Sequence, residues 1–129
     1  MRRYWFAVLG SAFLVTQFVL LSAIGAPSTF DWTTASLVGY ALAGVAFVVA
    51  GVREWLPLPA DAAPWYLFAG AGDVLLGAGM LANGVPSVLG GGAEALFFGG
   101  LISVGSLVLA FIGIDYARGG VHLDLSTFE

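Results

Sequence analysis

The amino-acid sequence predicts an all-α integral membrane protein: four transmembrane helices in one antiparallel bundle, with N- and C-termini cytoplasmic. Three observations carry that expectation. Hydrophobic residues make up 60% of the chain and charged residues only 9%, against about 25% charged in a soluble domain, and the mean hydropathy is +0.98. The apolar residues fall into four runs, each long enough for the roughly 30 Å hydrocarbon layer of a bilayer. All arginines lie at run ends, on one side of the membrane if the chain crosses four times.

The first span is expected at residues 5–24 and ends at "APSTFDW", where Pro27, Ser28 and Asp31 mark a loop. Arg2 and Arg3 before it and "SAIGA" at its end give it the look of a leader. Its apolar run, however, exceeds the roughly 7–15 residues of a signal core, so it is expected to be retained. The second span is expected at 34–52, and the three prolines of "REWLPLPADAAP" stop it from running on. The third is expected at 65–84, with Pro64 at the first helical position and Asp61 as a cap. "VPSVLGGG" is expected to turn, and the fourth span covers 93–116. Connections this short make antiparallel neighbours, so residues 1–129 form one domain with a short tail at 118–129.

Arg2, Arg3, Arg53 and Arg118 share one side, whereas the loops at 25–33 and 85–92 carry no arginine or lysine. The positive-inside rule then puts both termini in the cytoplasm of a multi-pass cell-membrane protein. Trp5, Trp32, Trp65, Tyr4, Tyr66 and Tyr116 lie near span ends, where amphipathic rings anchor at the interface.

Composition also closes off chemistry. Without cysteine there is no disulfide, thiolate nucleophile, iron–sulfur cluster or Cys-based zinc site. Eight acids against four arginines argue against nucleic acid as a partner. Lysine-free, acid-rich usage resembles that of halophilic archaeal proteins, a likeness of composition only. His122, the single histidine, supplies with Asp124 two metal ligands, too few for a site. No metal and no cofactor are expected, and the tail is read as a solvated, frayed end. Glu94 follows three glycines where a helix N-terminus favours an anion. "GGGAE" lacks the strand and lysine of a phosphate loop. No catalytic triad or carboxylate pair assembles at one membrane depth, so the chain is read as non-enzymatic.

Small residues repeat at steps of three and four, which keeps them on one helix face. The second span has Ser36, Gly39, Ala43, Ala46 and Ala50; the third continues the spacing through Tyr66, Gly70, Asp73, Gly77, Met80 and Gly84; the fourth has Gly92, Gly99, Ser103, Ser106, Ala110 and Gly113. Gly39, Ala43, Gly70, Gly77, Gly99 and Gly113 are therefore expected at helix contacts, because small residues let membrane helices approach closely. "FAVLGSAFL" and "FAGAGDVLL" also share a pattern that suggests a duplicated hairpin.

Asp73 stands alone in the third run, within "FAGAGDVLLGAGM". An acid at such depth costs about 2.5–3.5 kcal/mol, and its seam neighbours Gly70 and Gly77 place it towards the protein interior. Gln17, Tyr40, Ser103 and Ser106 lie at similar depth and complete an expected polar cluster. In one reading Asp73 is a neutral acid acting as interhelical glue, at about 0.6 kcal/mol per bond. In the other it is a proton or cation site. The leading expectation is a small non-catalytic membrane protein, an accessory subunit or self-associating bundle, whose partners are the lipid bilayer and a membrane protein or second copy. The alternative is a proton- or cation-coupled carrier using Asp73.

Overall fold

Four helices, α1 (Tyr4–Ile24), α2 (Trp32–Val52), α3 (Trp65–Leu89) and α4 (Ala93–Ala117), make up most of the computed structural model, which describes residues 3–57, 59 and 63–128. Each is long and apolar enough to cross a membrane. Single 3-10 turns follow α2 at Arg53–Trp55 and close the tail at Leu125–Phe128.

Local chemistry sets the ends. α2 starts two residues earlier than expected because the Asp31 side chain accepts the Thr34 N–H at 2.8 Å, satisfying a donor that the helix leaves open. Pro64 is the N-cap of α3, in extended conformation at ψ 156°, rather than its first helical residue. Asp61 lies outside the described residues. The expected turn at "VPSV" is instead the last part of α3. Proline removes an N–H and its ring crowds the carbonyl four residues before it, but α3 runs through Pro86 to Leu89, and Gly90 N–H bonds the Pro86 carbonyl at 2.8 Å. The turn itself is Gly90–Gly92, with φ +82° at Gly91 and +94° at Gly92, a region that disfavours side chains.

The helices pack in chain order, α1 on α2, α2 on α3 and α3 on α4, and among the described residues α1 and α4 share no comparable interface. The expected antiparallel neighbours are thus laid out as an open row. α3 explains why. Gly72 and Gly79 lie against Phe47 and Tyr40 of α2, whereas Gly70, Gly77 and Gly84 lie against α4. Residues two apart on a helix are about 200° apart, so α2 and α4 sit on nearly opposite sides of α3.

Close backbone approach holds the row together, and the pairings run antiparallel. Gly10 faces Gly44 and Gly51 faces Ala7 across α1 and α2; Gly39 faces Gly79 across α2 and α3. Across α3 and α4, Gly70 meets Gly113, Gly77 meets Ser106 and Gly84 meets Gly99. Partners there recur every seven residues, the spacing of left-handed helix packing. Ala43, the remaining small seam residue, is fully buried on α2. The duplicated-hairpin pattern does not carry into packing. Gly10 and its counterpart Gly72 both face α2, whereas a repeated hairpin would turn Gly72 towards α4.

Candidate functional site

Asp73 lies about 60° round α3 from the Gly70–Gly77 line, on the face of Ala69 one turn away. Ala69 is buried with Ala50, Trp65 and Tyr116 in the core cluster at one end of the row. Asp73 is half-buried and within electrostatic reach of Tyr116. Among the described residues it has no hydrogen bond. No fully buried side-chain oxygen there lacks a partner, so the Asp73 oxygens keep some contact with the surroundings.

The other four residues of the expected cluster are not joined to it. Gln17, 8% exposed, donates from Nε2 to the Leu37 carbonyl at 2.9 Å and ties α1 to α2. Tyr40 Oη accepts a long bond from Asn83 Nδ2 at 3.4 Å. Ser103 Oγ donates to the Gly99 carbonyl at 2.7 Å and Ser106 Oγ to the Ser103 carbonyl at 2.6 Å. Both serines thus satisfy themselves within α4, a common outcome for a hydroxyl on a helix. A shared depth in sequence is not a shared site, because each serine hydroxyl finds a nearer acceptor on its own backbone, while Gln17 and Tyr40 find partners other than Asp73.

The polar chemistry gathers instead at the end carrying Arg3, Arg53 and Arg118. Arg3 pairs with Glu54, and its guanidinium lies 5.3 Å from the Trp65 ring centre, so α1 is tied to α2 and α3. Arg53, 7% exposed, donates from Nε to the Ala63 carbonyl at 2.6 Å and from Nη2 to the Pro59 carbonyl at 2.7 Å. It thereby fastens the proline-rich connection to the end of α2.

The tail is docked, not frayed. Asp115, 3% exposed near the end of α4, accepts the backbone N–H of His122 at 3.1 Å and of Leu123 at 2.9 Å. Its Oδ1 also lies 2.8 Å from His122 Nδ1. His122 therefore pairs with Asp115, and Asp124 turns away to accept the Ser126 N–H at 2.9 Å. Hydrogen bonding from the Ser126 side chain and then from its backbone holds the Asp124 carboxyl below its ordinary range. The reversal passes through Gly119 and Gly120, at φ +85° and +73°. Phe128 then reaches back to Phe6 of α1, Trp65 of α3 and Tyr116 of α4, with ring centres 5.4, 6.0 and 6.1 Å away. The tail thus bridges helices that the open row leaves apart. Asp115 escaped the sequence reading as the last turn of an apolar run; the signal was an acid one turn before Gly-Gly and an alternating apolar tail.

These features define a class: an all-helical protein with four helices of membrane-spanning length and apolarity. The chain belongs to DUF7994, a family of unknown function whose pattern matches residues 1–129. No curated protein and no solved structure matches it.

Proposed function

We propose that this is a small non-catalytic, multi-pass protein of the cell membrane that works by association, as an accessory subunit of a membrane complex or with further copies of itself. The open row supports this reading. Among the described residues α1 and α4 each have only one extensive helical neighbour and present large apolar side chains outward, among them Val15 and Phe18, and Val104 and Leu107. Arg3, Arg53 and Arg118 at one end support a cytoplasmic placement of both termini. The test is affinity purification after mild extraction, read by mass spectrometry. A stoichiometric membrane partner, or a second copy, is the expected result; a monodisperse single chain without partner overturns the reading.

One observation favours a second reading, a proton- or cation-coupled carrier. Asp73 reads as an intramembrane acid with no hydrogen bond among the described residues, and such groups often mark ion paths. In proteoliposomes, pH-dependent flux lost in Asp73→Asn with the fold intact supports that reading; absence of flux in the natural chain removes it.

A further inference from the structure

A groove of about 500 Å³ runs down the outer face of the α3–α4 pair, lined by Leu67, Ala71 and Leu75 on α3 and by Ile114, Ala117 and Arg118 on α4. Ala71 is two residues from Asp73 and so faces the opposite side of α3. The groove is therefore separate from the Asp73 face and from the docked tail. From Leu67 to Leu75 it covers about 12 Å along the helix, starting at the arginine-bearing end and descending into the apolar zone. All its lining is apolar except Arg118.

Arg118 differs from the other described arginines. Arg3 is paired with Glu54, and Arg53 is buried among loop carbonyls. The Arg118 side chain is exposed and has no hydrogen bond or ion pair among the described residues. Its nearest acid in sequence, Asp115, is turned to the tail, where it accepts from His122 and Leu123. A guanidinium suits bidentate contact with phosphate oxygens, and here it stands where an apolar channel meets the head-group level.

We propose that this groove is a binding site for one anionic glycerophospholipid, its phosphate on Arg118 and an acyl chain between α3 and α4. The site rests on the membrane-spanning reading above. Head-group charge decides occupancy, because the groove accepts any acyl chain and only Arg118 distinguishes an anionic lipid from a zwitterionic one.

The experiment embeds the full chain in nanodiscs of equal phosphatidylglycerol and phosphatidylcholine, and reads the retained lipid by native mass spectrometry after mild release. Phosphatidylglycerol is expected to be retained about fivefold over phosphatidylcholine, the scale of one basic side chain at an anionic surface. Arg118→Gln should bring that ratio to unity and Arg118→Lys should keep part of it. Ala71→Trp, at an exposed groove position, should lower retention of both lipids. Equal retention by the natural chain, no retained lipid, or a preference that survives Arg118→Gln overturns the site; so does Ala71→Trp without effect. Resistance of the chain to carbonate extraction separates failure of the lipid site from failure of the membrane reading.

Discussion

Gly113→Ala tests the close approach of α3 and α4. A methyl group built at Gly113 falls 2.5 Å from the Gly70 carbonyl oxygen, 2.8 Å from Val74 Cγ2 and 2.9 Å from the Val74 nitrogen. Carbon–oxygen contacts between helices sit at about 3.3–3.6 Å, so the added carbon is roughly 0.8 Å too close to the Gly70 oxygen. Two of the three obstacles are backbone atoms, which cannot rotate away. The helices must therefore separate, and a gap of 0.5–1 Å forfeits about a quarter to a half of the contact energy of each atom pair involved. Overpacking of this kind costs about 1–3 kcal/mol. Gly100 is the matched control on the same helix: its added methyl meets nothing within 4 Å. Because both changes gain the same intrinsic preference of alanine for a helix, the difference between the variants isolates the contact. Reversible unfolding in mixed micelles, followed by circular dichroism, should put Gly113→Ala about 1–3 kcal/mol below Gly100→Ala. Equal stability of the two would refute the packing argument.

Other consequences follow from the tail, the α2 cap and Asp73. Phe128→Ala removes three ring contacts of about 0.5–1.5 kcal/mol each at most, and should lower the unfolding midpoint while making the last ten or so residues sensitive to limited proteolysis. Asp115→Asn should reproduce the proteolytic sensitivity, since it weakens the acceptor of the His122 and Leu123 N–H groups; an unchanged cleavage pattern in both variants contradicts the docked tail. Hydrogen bonds from Thr34 hold the Asp31 carboxyl below its ordinary value of 3.8. A carboxyl whose folded value is lowered stabilises above the unfolded value, and that contribution is lost as pH falls through the folded one. Acid should therefore weaken the start of α2 below about pH 4, with the effect absent in Asp31→Ala when the two pH profiles are compared. Asp73→Asn removes no hydrogen bond among the described residues and should leave stability within about 0.5 kcal/mol of the natural chain; a large loss would support the glue reading.

Element positions were legible in the sequence because they depend on apolar run length and local punctuation. The seams at Gly39, Ala43, Gly70, Gly77, Gly99 and Gly113 could be read because spacing alone puts small residues on one face, and the structure sets each at a helix contact. Two things escaped. The run through Pro86 reads as a turn in the sequence, since a proline removes a helix bond, whereas α3 continues through it to Leu89. The polar cluster was inferred from depth alone, whereas Ser103 and Ser106 bond within α4 and Gln17 reaches α2. Depth is one coordinate; the direction round each helix is the second. That second coordinate also decides between a closed bundle and a row, because Gly70 and Gly72 point about 200° apart.

The reading that α1 and α4 await a neighbour is tested most directly by cross-linking in native membranes. The chain contains no cysteine, so single substitutions Phe18→Cys on α1 and Leu107→Cys on α4 report on those faces alone, with buried Ala43→Cys as the control. A thiol-reactive benzophenone photo-cross-linker, which needs no amine on the partner, is expected to give a discrete higher-mass species from one or both outer helices and none from Ala43→Cys. Only the single chain from both Phe18→Cys and Leu107→Cys, at full thiol labelling, would contradict the account.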